Sequence, residues 1–253
     1  MDRRSFLKLA GFIPAAALFG CSGTGQEKPQ ENASKEEKKS EPVAVRVATL
    51  KGPTAMGLVK FMSEVEAQNI TDNNYSFEIL DAPDQVVAKV AQGDVDVASI
   101  PANLAATLFN KTKGAYKVAC LNVLNVLYIV ETGNAISKFA DLKGKTLYAS
   151  GKGAVPEYAL SYLLSKNGMT LGEDVQVEWK SEHTECVAAL AQDSEGIALL
   201  PQPFVTVAQT KNSQIRAAID LGAEWEAINP QSKLIAGVTI ISSKLISDSP
   251  DAV

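Results

Sequence analysis

Residues 86–105 read VVAKVAQGDVDVASIPANLA, and residues 186–205 read CVAALAQDSEGIALLPQPFV. At an offset of 100, Val87/Val187, Ala88/Ala188, Ala91/Ala191, Gln92/Gln192, Ala98/Ala198 and Pro101/Pro201 coincide without a gap. Upstream, Lys51-Gly52 and Lys152-Gly153 coincide at an offset of 101, each between a strand-like and a helix-like run. Both copies run strand, Lys-Gly loop, helix, strand, helix, strand, Pro-opened helix. The chain therefore predicts two similar α/β lobes.

Outward from the repeat, short β-type runs alternate with helical ones. The pattern predicts a strand over 43–50 and a helix over 55–68 with Leu58, Phe61, Met62 and Val65 on one face. A strand over 75–80, a helix over 84–91, a strand over 95–100 and a helix through 104–109 opened by Pro101 follow. Residues 116–130 are a long apolar β-rich segment, and from 146–150 to 215–221 the alternation resumes. Strands separated by helices predict parallel βαβ units with right-handed crossovers.

Four loops follow strands and open helices, where ligands of open α/β sheets bind. They supply the candidate ligand-binding residues Lys51, Gly52, Pro53, Thr54 and Ala55; Pro101, Ala102 and Asn103; Ser150, Gly151, Lys152, Gly153 and Ala154; and Gln202 and Pro203. Glycine permits close backbone approach, and free N–H groups at a helix start favour an anion or carbonyl. Lys51 and Lys152 point to a small anionic or strongly polar ligand, to which Tyr128 would add a ring face and Asn103 an amide. Trp179 and Trp225 fall outside these loops, so no stacked aromatic platform is evident.

Other chemistries are weaker. Gly144-Lys145-Thr146 looks like the end of a phosphate loop, but the residue five before Gly144 is Phe139, and the tripeptide precedes a strand. The formal charge is −5 with no basic patch, which argues against nucleic acid. There is one histidine, His183, read either as a capping residue near a helix start or as a contact at the cleft rim. No metal cluster, Gly-x-Ser-x-Gly elbow, catalytic residue or cofactor is expected. Cys120 and Cys186, lacking a spacing motif, read as buried free thiols. Residues 247–253, SDSPDAV, read as a helix start, so the chain is expected to be truncated at its C-terminus.

The N-terminus carries Arg3-Arg4-Ser5-Phe6-Leu7-Lys8, an apolar run over 9–19 and then Gly20-Cys21. That order is a secretory signal peptide over 1–20, too short to span a bilayer. Residues 22–42 contain one Ala and no larger apolar residue. They cannot offset chain entropy by burial and predict a disordered tether. Its reach is roughly 25 Å.

Leu18-Phe19-Gly20-Cys21 resembles the lipobox of bacterial lipoproteins, which implies lipidation of Cys21. The Arg-Arg-x-Phe-Leu-Lys run also resembles a twin-arginine signal, with Asp2 where Ser or Thr is usual, so Sec and Tat export both stay open. Several further segments extend the resemblance. They are Val45-Arg46-Val47-Ala48-Thr49-Leu50 with its Gly-Pro-Thr loop, Gly93-Asp94-Val95-Asp96-Val97-Ala98, Asp141-Leu142-Lys143-Gly144-Lys145-Thr146 and Leu200-Pro201-Gln202-Pro203-Phe204-Val205. With them the chain resembles ABC-transporter substrate-binding lipoproteins of the nitrate/sulfonate/taurine type, the NMT1/THI5-like set.

The resemblance implies a two-lobed, periplasmic-binding-protein-like type II α/β fold that closes on its ligand. Crossings near 130–135 and 232–238 would divide it into lobe 1 (43–132 and 233–253) and lobe 2 (133–232), after the tether over 21–42. It also implies a monomer, lipid-anchored on the extracytoplasmic face of the cell membrane, that delivers a small-molecule solute to an ABC permease. The alternative is an exported enzyme on the same fold, of the thiamine-pyrimidine-synthesis kind, with His183 in the chemistry.

Overall fold

Two five-stranded mixed sheets carry the chain. The computed structural model describes residues 41–252; the signal peptide, Cys21 and the tether through residue 40 lie outside the described residues. The first stretch runs β1 (Ala44–Leu50), α1 (Pro53–Met56), α2 (Val59–Glu66), β2 (Asn74–Leu80), α3 (Pro83–Gln92), β3 (Val97–Pro101), α4 (Ala102–Lys111) and β4 (Tyr116–Leu124). The second runs β5 (Leu127–Thr132), β6 (Thr146–Ser150), α5 (Val155–Lys166), β7 (Gln176–Lys180), α6 (His183–Gln192), β8 (Ile197–Pro201), α7 (Phe204–Lys211), β9 (Ile215–Asp220) and α8 (Leu221–Ile228). The chain then returns through β10 (Ile235–Ser242) and α9 (Ser243–Asp248).

Sheet A has the order β2-β1-β3-β10-β4, and sheet B the order β7-β6-β8-β5-β9. Exchanging β1 for β6, β2 for β7, β3 for β8, β10 for β5 and β4 for β9 turns one into the other. The sequence repeat is thus a repeat of topology. The sheets are not wholly parallel, however. β10 runs antiparallel to β3 and β4, and β5 antiparallel to β8 and β9. Each of these two strands enters its sheet from the other lobe and not through a helical crossover, so it arrives pointing the opposite way.

The two lobes are joined by short crossings. The outward one, expected near 130–135, lies at 125–126, because β5 already pairs within sheet B from Leu127. The return, expected near 232–238, runs over 229–234, and β10 begins at Ile235. Asn125 joins the two. It adopts the left-handed conformation (φ 49°) that Asn tolerates. Its N–H donates to Leu234 O at 3.0 Å, its Oδ1 accepts from Leu234 N at 3.0 Å, and its Nδ2 donates to Glu226 Oε1 at 2.6 Å. Gly222 makes room, since a Cβ there would sit 2.6 Å from Asn125 Cβ.

The core follows from the strands. β8 is buried at every position, as its unbroken Ile-Ala-Leu-Leu-Pro sequence requires of a central strand. Against sheet B, α5 buries Val155, Ala159, Leu160, Leu163 and Leu164. Burial of each Leu contributes about 1.5–3 kcal/mol. At the far end of β5, Glu131 is 1% exposed. It accepts the N–H groups of Ala135 and Ile136 at 2.9 and 3.1 Å and pairs with Arg216 of β9.

Cys120 corrects the expectation of two buried thiols: it is exposed, while Cys186 is fully buried. β4 is an edge strand, and Val118 and Leu121 beside Cys120 are more than half exposed. Burial pushes the Cys186 thiol up to about 12, so it carries almost no thiolate at neutral pH. Iodoacetamide at pH 8 is expected to alkylate Cys120 in the native protein and Cys186 only after unfolding. Peptide mapping reads this directly, and rapid native labelling of Cys186 would contradict the packing. No described helix is long and apolar enough to cross a membrane.

Candidate functional site

The carboxyl ends of β1 and β3 in sheet A and of β6 and β8 in sheet B converge on one place. Two adjoining cavities of about 80 and 70 Å³ lie there and share Leu50, Lys51, Pro101, Pro156 and His183. The first is completed by Pro53, Thr54, Val123, Val126, Leu127, Val155, Pro201 and Ala236. The second is completed by Asp81, Pro83, Ser150, Gly151, Ala154, Ser181 and Glu182. A larger hollow of about 650 Å³ lies at the amino ends of β6 and β8, the end of the strands away from these loops.

The loops reach across from lobe to lobe. Lys51 Nζ stands 3.6 Å from Asp81 Oδ1 of its own lobe and 3.6 Å from Glu182 Oε2 of the other. Asn103 Nδ2 donates to Gly153 O at 2.9 Å, leaving Asn103 Oδ1 buried without a partner. Gly52 (φ 109°) passes so close to the opposite lobe that a Cβ would lie 2.9 Å from Phe204 Cε2. No side chain could take that backbone conformation and that approach together.

The candidate residues divide by position. Lys51, Pro53, Thr54, Pro101, Ser150, Gly151 and Ala154 line the cavities. Gly52 and Asn103 form the interlobe contacts. Ala55 is buried in its own lobe, and Ala102 packs between the core clusters of both. Lys152 and Gly153 are exposed, with the Gly153 N–H given to Glu157 Oε2. Tyr128 packs beside the core of the second lobe and lines neither cavity; burial, with Asp220 nearby, raises its phenol. Gln202 is used in capping α7, accepting from Thr206, and Pro203 precedes that helix.

Sequence reasoning missed Asp81, Val123, Val126, Leu127, Pro156, Glu182 and Ala236. The apolar ones come from strand ends, a crossing and, for Pro156, the first turn of α5, and carry no chemical signature. Asp81 and Glu182 were findable, since they stand one and two residues after β2 and β7 end near the loops.

His183 lies at the centre, not at the rim. Its Nδ1 is hydrogen-bonded with Ser150 Oγ at 2.7 Å, and its ring lies 4.9 Å from that of Phe204. Burial drives its pKa down to about 4, with Glu182 opposing in part. At neutral pH it is an uncharged imidazole. Glu182 is held below the usual carboxylate range by hydrogen bonding from Thr184 and by the Lys51 ammonium. The histidine has a stability signature. Below its unfolded value of 6.5 the unfolded chain binds a proton that the folded chain refuses until about pH 4, so stability falls as pH falls through that window. Allowing for partial exposure of the ring, the wild type is expected to lose about 1–2 kcal/mol more than His183→Gln between pH 7 and 4.5. Urea unfolding at both pH values measures it, and equal losses would refute the burial argument.

Residues 72–194 match the family model described as NMT1/THI5 like. The match runs from β2 through α6 and so includes loops from both lobes. No curated protein matches the chain by sequence. Among solved structures, it is similar to the periplasmic aliphatic sulphonate binding protein SsuA from Escherichia coli, at 18% identity and a TM-score of 0.62, over 84% of this chain and 69% of that one. It is similar to an ABC transporter protein from Parabacteroides distasonis at 22% identity and a TM-score of 0.62, over 83% and 70%. A third is the ligand binding component of an ABC-type import system from Staphylococcus aureus, at 14% identity and a TM-score of 0.65, over 83% and 69%. At these identities the likeness establishes the fold. The chain has the two-lobed type II periplasmic-binding-protein fold.

Proposed function

We propose that this chain is the solute-binding component of an ABC import system. It is a monomer, lipid-anchored through Cys21 on the extracytoplasmic face of the membrane, and it traps a small polar molecule between its lobes for delivery to a permease. The lobes are the bodies carrying sheets A and B, and they close as the crossings flex. One observation carries the reading. Strand-end loops of both lobes meet around the two adjoining cavities and bond to each other there, through Lys51–Glu182 and Asn103–Gly153. A ligand that bridges the lobes favours the closed arrangement by its differential affinity, which lets a permease tell loaded from empty protein. The transport proteins named above share the fold, which supports the reading.

Native mass spectrometry of the full chain, gently purified, is the test. The expected result is a discrete small-molecule adduct that is lost on denaturation and recovered chemically unchanged. Recovery of a converted product instead would favour the enzymatic alternative. The anchor is tested separately: the wild type is expected in the membrane fraction and Cys21→Ser in the soluble extracytoplasmic one. Equal membrane association of both would remove the lipid from the proposal.

A further inference from the structure

We infer that the cleft selects an uncharged solute and discriminates against organic anions; this deepens the solute-binding reading and rests on it. Lysines near the loops suggest the opposite from sequence alone, but the geometry removes their charge from play. Among the described lining residues Lys51 is the one cation, and it stands 3.6 Å from each of two carboxylates, Asp81 and Glu182. An incoming anion meets one ammonium already shared between two negative groups. Lys152, the other candidate, is exposed and lines neither cavity.

Several of the backbone donors are taken as well. Helix starts around a cleft ordinarily offer free N–H groups to an anion. At α3, α5, α6 and α7 a side chain of the first turn, or of the residues just before the helix, takes one or two of these groups, while α1 and α4 have no side-chain cap. Gly153 N donates to Glu157 Oε2 at 2.6 Å before α5, and Ser181 N to Glu185 Oε2 at 2.9 Å before α6. Asp81 N and Ala82 N donate to Gln85 Oε1 at 3.2 and 3.3 Å before α3, and Thr206 N of α7 donates to Gln202 Oε1 at 3.4 Å. Two of these caps are carboxylates, so an anion would have to displace a negative group already in place.

The walls complete the argument. Leu50, Pro53, Val123, Val126, Leu127 and Pro156 present hydrocarbon to the first cavity. Desolvating an unpaired anion against such a surface is far costlier than desolvating a neutral amide or hydroxyl. The polar groups that remain suit a neutral partner. His183 has one ring nitrogen engaged by Ser150, which leaves the other for a single hydrogen bond. Thr54 donates its hydroxyl to Leu50 O at 2.9 Å, so its oxygen can still accept. The solute so described has an apolar body and a compact hydrogen-bonding end without net charge.

Calorimetric titration of the full chain at pH 7.5 tests this with shape-matched probes: benzoate, benzamide and benzamidine, then ethanesulfonate and ethanesulfonamide. The amide and the sulfonamide are expected to bind at least about tenfold tighter than their charged counterparts. In Asp81→Asn/Glu182→Gln, where the competing carboxylates are gone, the carboxylate-to-amide affinity ratio is expected to shift toward the carboxylate by about tenfold. Tighter binding of an anion or of benzamidine to the wild type, or an unchanged ratio in the double variant, overturns the inference and leaves the solute-binding reading standing. Absence of binding by all five probes to both proteins overturns that reading, and the inference falls with it.

Discussion

Glu131→Ala is expected to lower the free energy of unfolding by about 3–5 kcal/mol. Three donors depend on this one carboxylate: the N–H groups of Ala135 and Ile136 and the Arg216 guanidinium. Removing it leaves the buried Ile136 N–H without its acceptor and takes from the part-buried Arg216 its buried partner, and a broken pair of this kind costs more than an intact one contributes. Arg216 also donates to the carbonyls of Gly133 and Ile136, so the guanidinium is held where the carboxylate was and cannot swing out freely. Glu131→Gln keeps an acceptor for the amides and should recover part of the loss. Urea unfolding followed by far-UV circular dichroism gives both numbers. A loss under about 1 kcal/mol for the Ala variant would mean that water replaces the carboxylate without penalty.

Gly52→Val should act on the cleft more than on either lobe. The backbone at φ 109° disfavours a β-branched residue by about 1–3 kcal/mol, which is paid in the open and closed forms alike. The contact with Phe204 is different, because it exists only when the lobes are together. The Phe204 ring is buried and packs against His183, so it cannot turn aside cheaply. The variant is expected to remain folded, to show a larger radius of gyration by small-angle scattering, and to bind cleft ligands about 10–100-fold more weakly. Wild-type dimensions and affinity would show that Phe204 yields and that the close approach is not required for closure.

Much of this arrangement was legible in the sequence, for reasons that can be named. The offset-100 repeat anticipated the matched sheet orders, because strand and helix periods are written locally. The strand-end loops anticipated the cavities, because ligand position in α/β sheets follows from topology. What escaped was the exchange of strands. The run over 235–242, Ile-Ala-Gly-Val-Thr-Ile-Ile-Ser, overlaps the crossing expected near 232–238, and its strand was not anticipated. In the fold Gly237 lets β10 approach Asn122 and Val123 of β4, where a Cβ would meet atoms at 2.8 and 2.9 Å. The helix Leu221–Ile228 was missed because β9 passes into it with no intervening loop, its last residue Asp220 serving as the cap. Cys120 was misjudged because an apolar strand reads alike whether its faces are covered or bare. His183 was visible as the only histidine at a strand end, but its burial depends on Phe204 and Ser150, which no local pattern brings to it.

The placing of β10 has a consequence for how the molecule is made. Sheet B is built from consecutive stretches, β5 to β9, and can form as soon as residue 220 is available. Sheet A cannot, because its fourth strand is synthesised about 120 residues after its fifth, and β4 has no partner in the sheet until then. At ~5–20 residues per second, that leaves β3 and β4 with open hydrogen-bonding edges for roughly 6–24 s. Unpaired edges of this kind template association with other chains. The first half of the polypeptide therefore waits for the last, and any factor that shields nascent chains has most to do on residues 97–124.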